Sequence, residues 1–262
     1  MIANYHTHTY RCHHAGVYED EEYVKYAIDN GFRVLGFSDH TPWPYITGYR
    51  SPVRMDVLEL DAYISSVQKL KEKYRDIIHI YIGLECEYFP EYLPWLEQQR
   101  HKLDYLILGS HWAPSDEHGE VYYSHATQPE QVEEYADFTI CGMQTGLFSY
   151  LAHPDHVFSD YPTFDGVCRK AAYAICEEAK RMNLPLEYNL VGYEKKLAGR
   201  QKGLGFPTPE FWDIAEEVGC SAILGIDAHK PGHFSQHDWI NLAKQELNRR
   251  NIPILSVLPN LD

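Results

Sequence analysis

The sequence predicts an α/β protein built as a TIM-like β/α barrel, and two observations lead to this fold class. Short apolar runs rich in β-branched and aromatic residues alternate with stretches of helical periodicity along the chain. Some seven or eight such β–α units in 262 residues match the size and rhythm of a β/α barrel. A doubly wound open sheet would show the same alternation and remains the alternative. We expect one domain over residues 1–262.

The strands are predicted from short runs of Val, Ile, Leu, Tyr and Phe. They cover residues 2–8, 33–40, 78–88, 105–112, 150–155, 184–190, 221–229 and 253–258. The last run closes the chain, and the sequence leaves open whether it completes the barrel or packs outside it.

The helices are predicted between these strands. Residues 19–31 carry acidic residues in the first turn and end at Gly31, and residues 55–74 keep apolar residues at i, i+3, i+4 and i+7. Similar patterns cover residues 129–145, 164–182, 208–218 and 235–250, with a shorter one at 90–102.

Composition and charge exclude several classes of function. The formal net charge is −15 and no Lys/Arg-rich run offsets it, so we expect no nucleic-acid partner. No run approaches the roughly 18 apolar residues of a membrane span, and no secretory signal is visible. The six scattered cysteines contain no C-x-x-C pair, which predicts reduced thiols. We therefore expect a cytoplasmic protein without a membrane partner.

Residues of the types that commonly bind metals lie at or just past the carboxyl ends of six predicted strands. They are His6, His8, Asp39, His40, Glu85, Glu87, His111, His153, Asp155, Asp227 and His229. One histidine at a strand end is more often a hydrogen-bonded residue than a ligand. Agreement among six strands instead predicts a metal site, since the active site of a β/α barrel lies on this face.

The spacing and chemistry of these residues support that prediction. Residues i and i+2 of a strand point to the same side, so His6 and His8 can bind one cation, and the same parity joins Asp227 to His229. Imidazoles and carboxylates without thiolates suit zinc, manganese or iron. The set could hold more than one divalent ion.

Six motifs in order give the chain a resemblance to a known family. YHTHTYRCHHAG, LGFSDHTPW, IGLECEYFPEY, LGSHW, LAHPD and LGIDAHKP follow one another between residue 4 and about residue 230. The chain thereby resembles the PHP (polymerase and histidinol phosphatase) family, and within it the monofunctional histidinol-phosphatases. The resemblance implies an irregular (β/α)7 barrel with three divalent metal ions at the carboxyl ends of the strands.

The resemblance also implies nine ligands for three metal sites. The first site would use His6, His8, Glu85 and Asp227, the second Glu85, His111 and His153, and the third His14, His40 and His229. His14 is preferred to His13 because it lies six residues after His8, as in the family pattern. Cys12 is not implied as a ligand. Seven other histidines are expected at the surface or at helix ends: His79, His101, His118, His125, His156, His233 and His237.

The expected activity is hydrolysis of a small phosphate ester, and L-histidinol phosphate is the leading candidate for the substrate. The attacking group would be a metal-bridging hydroxide held through Glu85 and Asp227. No G-x-S-x-G, C-x5-R or GxxxxGK[ST] motif suggests a protein nucleophile or a phosphate loop. One alternative is a PHP phosphoesterase acting on a nucleotide or phosphosugar. A more remote one is a metal-binding module without turnover.

The substrate contacts are predicted less directly, because the chain departs from the family pattern after the sixth strand. There it reads NLVGYE and then KKLAGRQKGLGFP. A phosphate needs Arg or Lys near the metals, and a solvated basic loop is the competing interpretation. The candidates for binding substrate are Lys195, Arg200, Lys202, Lys230, Trp43 and Trp112, with Glu87 or Asp155 as partners for an ammonium group.

Overall fold

The computed structural model describes residues 3–119, 121–258 and 261. The chain has an α/β fold in which helices alternate with a curled parallel sheet, as the alternation predicts. The strands are β1 Ala3–Asn4, β2 Val34–His40, β3 His79–Cys86, β4 Tyr105–Leu108, β5 Leu186–Asn189, β6 Ala222–Gly225 and β7 Ile254–Leu255.

The helices connect successive strands, as a parallel sheet requires. They are α1 Asp20–Asp29, α2 Leu60–Lys73, α3 Leu93–Gln99, α4 Pro129–Gln144, α5 Gly166–Arg181, α6 Leu190–Leu197, α7 Pro209–Val218 and α8 His237–Arg249. Short 3-10 helices lie among them, at Tyr10–Cys12, Val57–Glu59, Arg100–Lys102, Tyr123–His125, His156–Phe158 and Pro231–Ser235. Among the described residues, no helix combines the length and apolarity needed to cross a membrane.

The sheet has two parallel parts, with strand orders β1-β2-β3-β4 and β5-β6-β7. Single bridges connect the two parts on both sides. Leu151 pairs with Leu108 and with Leu186, and Thr7 pairs with Ala228. Because all pairings are parallel, the carboxyl ends of the strands share one rim, where His40 lies opposite Glu85.

Some predicted strands are shorter in the structure, and local geometry gives the reason. The predicted strand 150–155 is reduced to the bridges of Leu151, and His153 beyond it has φ of 29°. The predicted strand 221–229 ends at Gly225, before Asp227 with φ of 58°. A positive φ interrupts the extended backbone. The predicted strand 2–8 is reduced to the two residues of β1. Beyond β1, the carbonyl of His6 accepts a hydrogen bond from the Asn4 side chain at 2.9 Å.

Helix α6 lies in the NLVGYE segment, which departs from the family pattern and for which the sequence predicts no helix. Asn189 ends β5 and caps α6, since its Oδ1 accepts a hydrogen bond from the Gly192 amide at 2.7 Å. Gly192 is required there, because a Cβ at this position would overlap the ring of Phe206. The segment that diverges from the family pattern is therefore partly helical and packed.

One buried tyrosine fills the inner face of the sheet next to the site. The Tyr105 hydroxyl donates to the carbonyls of Tyr5 at 2.6 Å and Phe37 at 3.1 Å. Its ring lies against Gly36 and Gly83, where a Cβ would overlap it. Gly83 and Glu85 share a face of β3 because strand residues alternate. The ring thus occupies the face from which Glu85 projects.

Candidate metal centre

The structure brings all nine predicted ligands together at the carboxyl rim of the sheet. Eight of them belong to overlapping groups of three in which the ligand atoms all lie within 4.8 Å of one another, and the ninth, His111, has its Nε2 3.5 Å from Oε1 of Glu85. These groups include His6, His8 and Asp227; His6, Glu85 and His153; His8, His40 and Glu85; and His14, His40 and His229. Residues from opposite ends of the chain thus face one space.

Glu85 lies at the centre of this arrangement, and each of its oxygens faces a different set of histidines. Oε2 lies 3.1 Å from Nδ1 of His40 and 3.5 Å from Nε2 of both His6 and His8. Oε1 lies 2.9 Å from Nε2 of His153 and 3.5 Å from Nε2 of His111. A carboxylate placed in this way is suited to bridge two cations.

Gly109, in the LGSHW motif, makes the position of Glu85 possible. A Cβ at residue 109 would overlap the carboxylate of Glu85. The glycine therefore lets the chain after β4 approach the carboxylate closely.

Asp227 provides the second carboxylate of the cluster. Its Oδ1 lies 3.1 Å from Nε2 of His8, 3.6 Å from Nε2 of His6 and 3.3 Å from Nδ1 of His229. The Asn189 side chain donates to the other oxygen at 3.1 Å. The positive φ of Asp227 is uncommon for a residue other than glycine, and such backbone strain is concentrated at functional sites.

The third group lies toward solvent. Nε2 of His14 and Nε2 of His229 are 2.9 Å apart, and His40 completes the group. Two imidazole nitrogens approach so closely only when a proton or a cation lies between them. The carbonyl of Cys12 lies 2.8 Å from Nδ1 of His14, and the carbonyl of Asp227 lies 2.9 Å from Nδ1 of His229.

The residues present fit divalent metal ions, and unpaired buried atoms give the test. Among the described residues, four ring or carboxylate atoms that face the interior of the cluster are buried without a hydrogen-bond partner: His6 Nε2, His40 Nδ1, Glu85 Oε2 and Asp227 Oδ1. Leaving each such group unpaired costs about 1–3 kcal/mol. Imidazoles and carboxylates are donors that suit zinc, manganese and iron, so cations would offset this cost.

The charges of the cluster depend strongly on one another. Burial alone would raise the pKa of Glu85, but His6, His111 and His40 hold it well below its usual range. Burial alone would lower the pKa of His6, but Glu187, Asp227 and Glu85 raise it well above its usual value. The buried carboxylates are therefore stabilised by nearby positive charge, which metal ions can supply in place of protons.

Glu187 supports the cluster from β5, a role that the sequence analysis missed. This buried carboxylate lies 2.8 Å from Nδ1 of His6 and accepts hydrogen bonds at 3.1 Å from the amide of His153 and the side chain of Asn189. A Cβ at Gly225 would overlap it. A carboxylate behind a ligating histidine fixes the orientation of the ring. The signal in the sequence was a glutamate within an otherwise buried strand.

Glu87 has the same kind of role for His111. Its Oε1 lies 2.8 Å from Nδ1 of His111 and accepts at 2.8 Å from Arg54, and its Oε2 accepts at 3.0 Å from the indole of Trp43. These bonds occupy Glu87, so it does not face a substrate ammonium group. Trp43 is buried against Phe89 and lies outside the site cavity.

A cavity of about 490 Å³ opens over the cluster, within the range of roughly 300–1,000 Å³ usual for ligand sites. Beside the cluster residues it is lined by Tyr122, His156, Val191, Glu194, Lys195, Arg200, Phe206, Lys230, His233, Gln236 and Trp239. Three of the four predicted cations therefore reach it, and Arg200 is ion-paired with Glu194.

Three predicted contacts lie elsewhere. Lys202 is exposed outside the cavity lining, and Trp112 packs behind Tyr122 with ring centroids 4.7 Å apart. Asp155 is buried and turned away, since it accepts at 2.5 Å from the Thr208 amide and at 3.1 Å from the Trp212 indole. Burial raises the pKa of Asp155 to about 6. Sequence proximity to a ligand did not fix the direction of these side chains.

Two histidines expected at the surface or at helix ends line the cavity instead. His156 is buried, and burial holds its pKa well below the usual value. His233 is half-buried, and burial lowers its pKa to about 4. The other five are exposed, as predicted: His79, His101, His118, His125 and His237.

The fold and the site together define a class: α/β proteins in which a cluster of histidines and carboxylates gathers at the carboxyl rim of a curled parallel sheet. The model of the PHP domain matches residues 4–190, and the chain belongs to the PHP domain family.

Relatives and solved structures agree with this assignment. A Deinococcus radiodurans protein named "Probable histidinol-phosphatase" is 28% identical over 247 residues, covering 88% of this chain and 87% of that protein. The histidinol-phosphatase of Bacillus subtilis is 30% identical over 118 residues, 42% of this chain and 44% of that protein. The histidinol phosphate phosphatase of Lactococcus lactis shares the fold with a TM-score of 0.74 at 17% identity, over 99% of this chain and 97% of that one.

Proposed function

We propose that the chain is a metal-dependent phosphomonoesterase that hydrolyses L-histidinol phosphate to L-histidinol and phosphate. The observation that carries the proposal is the convergence of nine histidine and carboxylate side chains, all predicted ligands, beneath a cavity with cationic residues at its mouth. Histidinol-phosphatases among the relatives support the substrate. The Lactococcus lactis enzyme was solved with zinc, L-histidinol and phosphate, which supports both the substrate and the metal.

The ligand groups favour three metal ions per chain. His6, His8 and Asp227 would hold the first with Glu85. The second would be held by Glu85, His111 and His153, and the third by His14, His40 and His229. When bound, such ions lower the pKa of water and neutralise the charge of a phosphate group.

The chain's own residues would prepare the site for this chemistry. Glu187 and Glu87 orient His6 and His111, so the ligands are held before substrate arrives. Lys195 and Lys230 are exposed at the cavity and can attract the phosphate dianion despite the acidic surface. No protein nucleophile is needed in this scheme.

The same proposal includes the finer architecture, an irregular (β/α)7 barrel formed as one domain. The bridges of Leu151 to Leu108 and Leu186, together with Thr7 to Ala228, support a closed ring. Among the residues that the structure describes, β7 pairs with β6 alone, at Ala222 and Ile223, which favours a position outside a seven-stranded ring.

The test is phosphate release from histidinol phosphate, a nucleoside monophosphate and a phosphosugar by metal-reconstituted protein. We expect selective turnover of histidinol phosphate, lost in the His6→Ala/His8→Ala double variant. A His79→Ala/His101→Ala double variant at exposed positions is the matched control and should keep activity. Comparable turnover of all three esters would reject the substrate, and inactivity of the fully metallated protein on all three would reject the reaction.

A further inference from the structure

One side of the cavity is an aromatic corner formed by half-buried Tyr122 and by His156 and Phe206, which are buried. The rings of His156 and Phe206 have centroids 5.2 Å apart at 77°, and those of Tyr122 and His156 are 5.1 Å apart at 71°. Tyr122 also stacks on His111, with centroids 5.7 Å apart at 19°. The corner therefore adjoins the ligands of the second metal group.

The ring of His156 packs against four other rings, but one of its nitrogens is left without a partner. The residue is 4% exposed, and its Nδ1 is buried without a hydrogen-bond partner among the described residues. His156 is not one of the nine predicted ligands. An unpaired polar ring in the wall of a ligand cavity is costly unless a ligand completes its bonding.

Phe206 is held firmly in this corner. Its ring lies against Gly192 of α6, where a Cβ would overlap it. The Gln201 side chain donates to the carbonyl of Phe206 at 2.9 Å and to that of Gly192 at 3.2 Å. These contacts fix the ring before a ligand binds, which lowers the entropy lost on binding.

The opposite wall is less suitable for an aromatic ligand. His233 and Trp239 are half-buried, and their centroids are 6.4 Å apart. Nδ1 of His233 already accepts a contact at 3.4 Å from the amide of His229. The enclosed corner offers both apolar faces and an unpaired histidine.

We propose that Tyr122, His156 and Phe206 form the subsite that receives the imidazole ring of the substrate and sets the preference for it. The inference rests on the proposed function and names the residues that determine selectivity for the substrate. Aromatic rings pack well at centroid separations of roughly 4.5–7 Å, and a histidine ring offers one donor and one acceptor to another imidazole. The phosphate would then extend toward the metal ligands.

The experiment compares histidinol phosphate with 2-aminoethyl phosphate, which keeps the phosphate and the ammonium group but lacks the ring. For His156→Asn and Phe206→Leu we expect KM for histidinol phosphate to rise roughly 10–100-fold. For 2-aminoethyl phosphate, kcat/KM should change less than about threefold, because no ring contact is lost. Metal content by mass spectrometry and the thermal midpoint should stay unchanged.

His233→Asn and Trp239→Leu on the opposite wall are the matched controls, and the ratio of the two kcat/KM values should be unaffected there. Equal losses on both esters, loss of metal in His156→Asn, or a selective loss in the opposite-wall variants would overturn the subsite alone. Wild-type protein that turns over 2-aminoethyl phosphate but not histidinol phosphate would overturn the proposed substrate as well.

Discussion

The floor and the mouth of the cavity are built differently. At the floor, Glu85 and His6 are almost fully buried, and carboxylates such as Glu187 hold the rings of predicted ligands. At the mouth, Lys195 and Lys230 are exposed and Arg200 is paired with Glu194. The floor thus has a preset geometry, whereas the cations of the mouth are solvated.

This difference predicts different consequences of substitution. A buried charge in a coupled cluster cannot be removed without leaving its partners unpaired, and that cost is large. An exposed cation acts through screened attraction, which is weak. Substitutions should therefore lose effect from the floor toward the mouth.

The largest effect is expected for Glu85→Gln, which removes the carboxylate charge that faces five histidines. We expect kcat/KM for histidinol phosphate to fall more than about 10³-fold and metal binding to drop, because the amide cannot replace an anionic bridging ligand. Steady-state kinetics with metal analysis measures both. The control is Glu97→Gln at an exposed position of α3, and a similar loss there would show that the effect is not specific to Glu85.

A smaller loss is expected for Glu187→Gln, which keeps the shape but weakens the contact with His6. Partners behind a ligand typically contribute about 10–100-fold to metal affinity or activity. Competition with a chelator would measure the affinity. Exposed Glu177→Gln on α5 serves for comparison, and unchanged affinity in Glu187→Gln would show that His6 needs no such support.

Gly109→Ala probes the space around Glu85 without removing a ligand. The added methyl group would overlap the carboxylate and displace it, so we expect kcat/KM to fall on the order of tenfold, with a loss of stability of about 1–3 kcal/mol. Kinetics and denaturant unfolding measure the two effects. At Gly166 an added Cβ would meet no atom within 4 Å, so Gly166→Ala should preserve kcat/KM. Equal behaviour of both variants would contradict the close approach.

The smallest effect is expected at the mouth. Lys230→Ala should raise KM only a few-fold with kcat nearly unchanged, and added salt should reduce the difference from wild type. Kinetics at two ionic strengths would show it. Lys202→Ala removes the same charge outside the cavity lining and should leave KM unaltered. A large fall in kcat for Lys230→Ala would place this residue in the chemistry itself.

The alternation of strand and helix patterns predicted the α/β class, and parallel alignment predicted that residues at the carboxyl ends of the strands gather at one rim. His14, which follows no predicted strand directly, came from the family resemblance. The sequence did not reveal Glu187 and Glu87 as supports, since those roles depend on contacts between different strands. The sequence predicted no helix at α6, because the cap at Asn189 and the packing of Gly192 against Phe206 are visible only in the structure. Neither Trp43 nor Lys202 lines the cavity, since the direction of a side chain in a loop depends on tertiary packing.

The most direct test is a metal titration of protein stripped with a chelator, followed by phosphate release from histidinol phosphate. We predict an inactive stripped protein whose activity returns with added zinc or manganese and levels off only after more than one ion per chain has bound. Full activity of the stripped protein, or metal binding without any hydrolysis, would contradict a catalytic metal centre at this rim.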